Sequence, residues 1–401
     1  MKLKNTTPRS STSSTSSNSS TTSNSSNSST DGYKMHTRLF KKYKPQNLLV
    51  LQDTIIHTSM VFLSFSLMYY YKDSMVASLV TIPIVSLMML RSLIIFHDCI
   101  HDSYTNSIYL NYILSFYYGL FAYLNVNWKF VHKTHHLTNG HIDNQYQFHF
   151  NETTVHMSFY KNLSPFQRQL YKFWKPFSFL ATIIEIGIVQ RFSVYALMIN
   201  AYLSKSKTII TTPLWRIVAN DIISNYLLFQ WIYAIYDHGI LYHYFLSCIL
   251  YGMMTIGFFH NQHTFNPAFV ERDEKWTYEK SAVHGSSIIT VPWYLQYFTS
   301  NIQYHHLHHL NSKIPSYHVR DYHNDVVSQC NEFDNVVVLS MKQCFENLWL
   351  VLYSEQQKKY VTFVEADKEL IDDKINEKQK KCVTILKKPT KYLIKKMSVI
   401  Y

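Results

Sequence analysis

Long apolar stretches, arranged in two close pairs, dominate the pattern of polar and hydrophobic positions along this chain. The first pair covers about 48–71 and 75–96, and the second covers about 217–236 and 239–259. Each stretch approaches the ~20 apolar residues that a membrane-spanning helix needs. Because very short polar turns join the members of each pair, the pattern argues against a soluble protein with buried helices. It predicts an all-α integral membrane protein with four transmembrane helices in two hairpins.

Three histidine clusters lie outside these stretches. They are His97-Asp98-Cys99-Ile100-His101 (box one), His132-Lys133-Thr134-His135-His136 (box two) and His305-His306-Leu307-His308-His309 (box three). Positions i, i+3 and i+4 share one face of a helix, so the spacing within each box brings imidazoles together. The histidines at this spacing are His97, His101, His132, His135, His136, His305, His308 and His309. Imidazole binds iron, zinc, copper and nickel, and the repeated spacing predicts a metal site rather than scattered surface or core histidines.

The metal site decides how two further apolar stretches, 107–126 and 176–192, are interpreted. If 107–126 crossed the membrane, box one and box two would lie ~30 Å apart on opposite sides, too far to share a site. Both stretches are therefore expected to lie in the interface or beneath the bundle, with all boxes in a helical cap on one face. Lysines and arginines cluster before the first span, whereas the hairpin turns carry little positive charge. The positive-inside rule then predicts that the cap and both termini are cytosolic.

Further histidines follow the second hairpin. His263 lies just past the expected membrane exit, as His97 does, and is predicted to be a ninth ligand. His260, one turn earlier, is the alternative. Two polar side chains are expected to support the ligands from outside the metal site. Asp98, within box one, is expected to orient a ligand ring, and Asn301, ahead of box three, is expected to reach the site through water.

The number of imidazoles and the position of the boxes indicate the chemistry. Nine imidazoles exceed what one four- to six-coordinate ion can use, whereas two ions with open positions can use them. Zinc would suit hydrolysis, but the chain has no HExxH motif and no convincing general base near the boxes. Iron with open positions suits oxygen activation, and two irons can store the oxidising equivalents needed to attack an unactivated C–H bond. A site at the ends of apolar helices predicts an apolar substrate reached from the bilayer.

The two ends of the chain differ in composition from the apolar part. Residues 1–45 begin with a Ser/Thr/Asn-rich segment, which is predicted to be disordered because it cannot bury enough apolar surface. Residues 46–364 are predicted to form the membrane domain, ending in an amphipathic helix over about 340–364. Residues 365–401 form a tail that is first acidic and then lysine-rich.

The charge and the cysteines narrow the class of protein further. The net charge of +12 fits nucleic acid or an anionic membrane surface, and the apolar stretches favour the membrane over nucleic acid. The five cysteines are odd in number and include no CxxC pair, which argues against a disulfide framework and a thiolate zinc site.

The three boxes resemble those of the membrane fatty acid desaturases, most closely those of the acyl-lipid omega-6 (delta-12) enzymes. Supporting matches are Arg91 ahead of box one, Trp128 ahead of box two, Gly285-Ser286-Ser287 ahead of box three, Ile314-Pro315-Ser316-Tyr317 after it, and Gln262-His263. The resemblance runs from about 91 to 364. One departure is Ile100, where the family usually has glycine before the last histidine of box one.

This resemblance implies a four-span helical membrane protein with a cytosolic di-iron centre held by the box histidines and His263. It implies an oxidoreductase that uses O2 and two electrons to introduce a cis double bond into a fatty acyl chain. The electrons would come from cytochrome b5 or ferredoxin, and the donor should be a separate protein because the chain lacks the His-Pro-Gly-Gly signature of a fused cytochrome b5. The expected location is the endoplasmic reticulum membrane.

Two other functions remain as alternatives. A di-iron hydroxylase of a lipid, alkane, sterol or carotenoid would carry the same boxes but insert oxygen. A histidine-rich membrane metal transporter or receptor would carry histidines inside the spans, along a path. Here only His57 and His243 fall within the predicted spans.

Overall fold

The computed structural model describes residues 39–143, 155–177, 190–203 and 210–386. Most of this part of the chain is helical. The first nine α-helices of this part are α1 (Asn47–Tyr70), α2 (Met75–Ile100), α3 (Ile108–Phe121), α4 (Trp128–Thr138), α5 (Met157–Asn162), α6 (Pro165–Phe177), α7 (Gln190–Leu203), α8 (Leu214–Asp237) and α9 (Leu241–His263). They are followed by α10 (Tyr278–His284), α11 (Gln296–Thr299), α12 (His305–Leu310), α13 (Ser316–Val327), α14 (Met341–Asn347) and α15 (Phe363–Leu386). The strands are β1 (Ile288–Ile289), β2 (Val338–Leu339), β3 (Leu352–Ser354) and β4 (Lys359–Val361).

Three of the described helices, α1, α2 and α9, are long and apolar enough to cross a membrane. They correspond to three of the four predicted spans. Helix α8 has 24 residues, a sufficient length, but it carries Arg216 and Asp221 near its start. The Asp221 carboxylate accepts hydrogen bonds from the side-chain amides of Asn125 at 2.6 Å and Asn127 at 2.8 Å and from the Tyr195 hydroxyl. The polar start of α8 therefore attaches to the segment that leads into box two.

Helix α2 is the central one of the three candidate spans. In α2, 67% of the most apolar window is buried, against 28% in α1 and 39% in α9. A short turn joins α1 to α2, and Ser74 caps α2 by accepting a hydrogen bond from the Ala77 N–H. Helix α3 packs closely on α2 at Gly119, where an added Cβ would lie 3.1 Å from the Phe96 ring. This packing fixes the end of α2, and box one lies at that end.

The helix predicted within 107–126 is present as α3, and it is shorter than the candidate spans. Most of the second stretch, 176–192, lies outside the described residues, as do residues 1–38 of the predicted N-terminal segment and residues 387–401 of the predicted tail. The predicted domain boundary at 364 falls just inside α15. That helix continues to Leu386 and packs its first turns on β3 and β4.

The all-α prediction did not include two small sheets. β1 and β2 pair in parallel, with Ile288 opposite Val338, and β3 and β4 pair antiparallel. The predicted helix over about 340–364 is wrong beyond Asn347, where the chain turns into the β3–β4 hairpin. A run of apolar residues at 350–352 fits both a helix face and a short buried strand, and all three residues of β3 are buried.

Candidate metal centre

Nine histidines gather in two groups at the ends of α2 and α9. Group 1 contains His97, His101, His132, His136 and His308, and group 2 contains His135, His263, His305 and His309. Within each group, the candidate ligand atoms all lie within 4.8 Å of one another. These are the nine histidines that the boxes and the second hairpin predict, so the fold brings the entire predicted set together.

The two groups share a pattern because α4 and α12 each contribute to both. On α4, the i,i+4 pair belongs to group 1 and the third histidine belongs to group 2. On α12, the i,i+4 pair belongs to group 2 and the third histidine belongs to group 1. The groups touch, since the rings of His136 and His309 stack with their centroids 4.2 Å apart. The remaining members come from α2 and the residue that follows it, which supply His97 and His101, and from the end of α9, which supplies His263 alone.

The Nε2 atoms of neighbouring rings converge. Their separations are 2.8–3.0 Å in group 1 and 2.9–3.1 Å in group 2. At a metal–imidazole bond length of ~2.1 Å, two ligands at right angles have donor atoms roughly 3.0 Å apart. The spacing of the nitrogens is therefore the one that two adjacent metal ions would require, one in each group.

Burial keeps most of these rings neutral. It lowers the pKa of six of them well below the ordinary imidazole value, because the charged form loses its hydration, and the neighbouring imidazoles lower each pKa further. The six are His101, His132, His136, His305, His308 and His309. A neutral imidazole keeps the nitrogen lone pair that a metal ion needs.

The backbone around Gly285 orients His263. The Nδ1 of His263 lies 3.3 Å from the Gly285 carbonyl, and a proton on Nδ1 leaves the lone pair of Nε2 directed into group 2. Ser287 closes the end of α9, because its N–H donates to the Gln262 carbonyl at 3.0 Å and its hydroxyl donates to the Asn261 carbonyl at 2.8 Å. The Gly-Ser-Ser sequence ahead of box three thus holds the helix end that carries His263.

Asp98 holds box one against the segment that follows box three. Its buried carboxylate accepts a hydrogen bond of 2.7 Å from the Ser316 N–H, at the start of α13. Negative charge is favourable at the N-terminus of a helix. The other oxygen lies 3.9 Å from Nδ1 of His97, which is too long for a hydrogen bond. Asp98, which the sequence predicted to orient a ligand ring, therefore holds box one through the backbone of Ser316.

Asn301 and His260 lie outside both groups. The Asn301 amide donates to the Ser316 carbonyl at 3.0 Å, so it helps to fix the same segment that Asp98 holds. His260 lies 2.8 Å, through Nε2, from the Asn347 carbonyl at the end of α14. Between the two histidines considered for the ninth position, the fold places only His263 among the ligand nitrogens.

Two aromatic contacts and one ion pair stiffen the surroundings. Trp128 stacks on His132 with the ring centroids 4.4 Å apart. Arg91, on α2, pairs with Asp53 of α1 and lies over the ring of Tyr297 at 4.0 Å from its centroid. In the sequence, Arg91 and Trp128 stood out only as family matches. The partners of Arg91 are 38 and 206 residues away along the chain, whereas His132 lies one helical turn from Trp128.

Comparison with known proteins agrees with this geometry. The model of the fatty acid desaturase family matches residues 75–338, a range that contains all nine histidines. The chain belongs to the fatty acid desaturase family.

Three relatives of this desaturase show how far the similarity extends. This chain is 31% identical over 281 residues to a fatty acid desaturase of Bacillus subtilis (strain 168), and the aligned region covers 68% of this chain and 74% of the relative. It is 25% identical over 231 residues to a temperature-sensitive sn-2 acyl-lipid omega-3 desaturase (ferredoxin), chloroplastic, of Arabidopsis thaliana, covering 56% of this chain and 50% of the relative. A probable fatty acid desaturase of Sorghum bicolor is 22% identical over 229 residues, covering 56% of both chains. The desaturase thus spans about half the length of the two plant relatives.

Enzymes of this family generally use a di-iron centre, and the donor set of this desaturase fits one. The all-imidazole ligands are of the type that binds iron, and the converging Nε2 atoms form two adjacent sets. The described helices also fit the membrane location of desaturases, since three of them are apolar enough to span a bilayer.

Two cavities lie beside elements that carry ligands in this desaturase. An apolar cavity of about 250 Å³ lies between α9 and α14, beside Gly257, Phe258 and Asn261. A second cavity, of about 420 Å³, reaches His101 and His136 of group 1. Ile100, the residue that departs from the family pattern, is among the residues that line it.

Proposed function

We propose that this protein is an O2-dependent di-iron desaturase that introduces a cis double bond into a fatty acyl chain, in an acyl lipid and at an omega-6 (delta-12) type position. The nine histidines of groups 1 and 2 are its metal ligands. The observation that carries this proposal is the pair of adjacent nitrogen clusters at the ends of apolar helices, within the region that matches the desaturase family. An acyl-lipid substrate is supported by the similarity to the Arabidopsis relative, which is an sn-2 acyl-lipid desaturase.

The proposed membrane arrangement has four spans. Helix α8 crosses the membrane as the partner of α9, because its 24 residues are long enough and its charged residues lie near its two ends. The membrane domain then covers 46–364, between a Ser/Thr/Asn-rich N-terminal segment at 1–45 and a lysine-rich tail at 365–401. Both termini and the histidine groups lie on the cytosolic side of the endoplasmic reticulum membrane, because the basic residues cluster there.

In each turnover the acyl chain loses two vicinal hydrogens, and O2 takes up these hydrogens, two electrons and two protons to give two water molecules. Two bound irons supply the oxygen activation that this reaction needs. The chain's own residues do the positioning. The imidazoles stay neutral because they are buried, Asp98 and Ser287 hold the two helix ends that carry ligands, and the apolar cavity beside Gly257 keeps water away from the acyl chain. The electrons come from a separate protein, cytochrome b5 or ferredoxin.

The fatty acids of yeast that expresses the protein test this function. The wild-type protein is expected to add a new diene, whose double bonds mass spectrometry locates. His308→Ala removes a group 1 ligand and is expected to abolish the diene, whereas His260→Ala removes a histidine outside both groups and is expected to retain it. Immunoblots confirm equal expression.

Other products would overturn the proposal. A hydroxylated acyl chain would indicate the hydroxylase, and a diene at another position would reject the omega-6 assignment alone. An unchanged lipid profile together with altered cellular metal content would favour the transporter. Full activity of the His308→Ala protein would show that the reaction does not depend on an intact group 1.

A further inference from the structure

A ring of lysines surrounds the cavity that reaches group 1. We call this feature the lysine-rimmed opening and define it by Lys129, Lys133, Lys313 and Asp102 around His101. Lys129 and Lys133 are four residues apart on α4, so they lie on one face of that helix. Lys313 reaches the opening from the loop after box three, and its Nζ donates to the His101 carbonyl at 2.6 Å. Two separate segments thus place positive charge over the same ligand.

His101 lies in this opening and is the most accessible of the nine histidines. The other eight are buried, whereas His101 is partly exposed. The partly exposed side chain of a candidate metal ligand, lining a cavity of about 420 Å³, connects the protein surface to the metal site, while its Nε2 stays buried. The lining combines four charged side chains, those of Lys129, Lys133, Lys313 and Asp102, with apolar ones such as Ile100, Phe130 and Leu137. These charges suit a charged partner better than the hydrocarbon of an acyl chain.

In the part of the chain that the structure describes, positive charges outnumber negative ones around the opening. Within the described residues, neither Lys129 nor Lys133 forms an ion pair, and Asp102 is the one carboxylate that lines the cavity. Asp102 lies 3.8 Å from Lys313, and both side chains are about half exposed, so their attraction is weak. A partner with several carboxylates on its surface would complement this charge and would be steered toward it.

A phosphate of the lipid substrate is the competing occupant. A headgroup held against His101 would leave only the first carbons of its acyl chain beside the histidines. A double bond in the interior of the chain requires carbons far from the headgroup to reach the centre. The position of the opening therefore fits a redox partner better than a headgroup.

We propose that an acidic one-electron redox protein docks on the lysine-rimmed opening and passes its electrons to the centre through the ring of His101. This inference rests on the proposed desaturase function, which requires two electrons in each turnover. A one-electron donor therefore docks twice for every double bond formed. The donor is oxidised, and O2 is reduced to water with the two hydrogens of the acyl chain and two protons.

The test compares two ways of reducing the full-length protein in lipid nanodiscs. One uses the soluble domain of cytochrome b5 with its reductase, and the other uses dithionite, a small reductant that needs no docking surface. Lys133→Glu reverses one charge of the opening, and Lys133→Arg keeps it. The matched control is Lys342→Glu, which makes the same charge change at a side chain that is 85% exposed on α14 and outside the opening.

We expect Lys133→Glu to slow cytochrome-driven desaturation by roughly 3- to 10-fold at low ionic strength, with less difference at high salt. Dithionite-driven turnover of the same variant should be reduced much less, and Lys133→Arg and Lys342→Glu should resemble the wild type. Equal slowing with both reductants would overturn the proposal, as would equal effects of Lys133→Glu and Lys342→Glu. An effect seen with dithionite only on anionic acyl lipids, and not on zwitterionic ones, would identify a headgroup site instead. If the wild type forms no double bond with either reductant, the proposed function itself fails.

Discussion

The two histidine groups are built alike but differ in what the long helices add to them. Each group receives three imidazoles from α4 and α12 together. Group 1 gains two more from the end of α2 and the residue after it, whereas group 2 gains only His263 from α9. In box one, His97 lies four residues before His101. The equivalent position in α9, four residues before His263, is Phe259, whose ring centroid lies 6.3 Å from that of His305. Group 2 therefore has one imidazole fewer and a hydrocarbon wall in its place.

The two groups also differ in their surroundings, which are more polar around group 1 than around group 2. Group 1 reaches the surface at His101, in an opening rimmed by lysines, while every ring of group 2 is buried. The apolar cavity lies along α9, the helix that carries His263. Under the proposed function, group 1 would face the electron donor and group 2 would face the acyl chain.

Replacing the histidine that lies at the end of α2 or of α9 gives the largest expected difference in activity between the two groups. His263→Ala leaves group 2 with three imidazoles and removes its only ligand from α9, so we expect desaturation to fall below detection. His101→Ala leaves group 1 with four imidazoles, as many as group 2 normally has, and we expect a smaller loss of roughly 10- to 100-fold. Product formed per expressed protein measures both. Equal losses in the two variants would contradict the difference between the groups.

The side chains that hold the ends of α2 and α9, Asp98 and Ser287, give the next largest expected difference. Asp98→Ala removes a buried carboxylate that accepts from the Ser316 N–H. A hydrogen bond to a charged group contributes about 1.5–3 kcal/mol, so we expect activity and metal affinity to fall by roughly 10- to 100-fold. Ser287→Ala removes one neutral hydrogen bond, to the Asn261 carbonyl, at a cost of about 1 kcal/mol. Metal titration and turnover measure both effects. A larger effect of Ser287→Ala would show that the charged anchor is not the stronger one.

Filling the apolar cavity gives the smallest expected effect. Gly257 has open space where a Cβ would be added, so Gly257→Ala is expected to preserve activity and to stabilise α9 slightly. Gly257→Trp fills the cavity and is expected to reduce turnover about tenfold, or ~1.4 kcal/mol, most strongly for the longest acyl chains. Chain-length profiles of the products measure this effect. An unchanged profile in Gly257→Trp would exclude the cavity as part of the acyl path.

The sequence was sufficient to predict which histidines gather in the fold because their spacing is local. The i, i+3 and i+4 positions of box two and box three follow from helix geometry alone, and His263 follows from its distance to the end of a span. The division into two groups was not predictable, because it depends on how α4 and α12 face each other across more than 160 residues of chain. The same limit applies to Asp98, whose partner Ser316 is 218 residues away.

The fold, like the site, could be predicted from the sequence where it depends on local composition. Three of the predicted spans appear as long apolar helices because each depends on its own composition. The β3–β4 hairpin was missed because three apolar residues in sequence fit a helix and a strand equally well. Tertiary partners decide between them, and here the partner is the first part of α15.

The metal content of the purified full-length protein tests the central claim most directly. Elemental analysis of protein isolated from iron-supplied cells is expected to give about two irons per chain, one for each histidine group. A single metal ion per chain, or zinc in place of iron, would contradict the account.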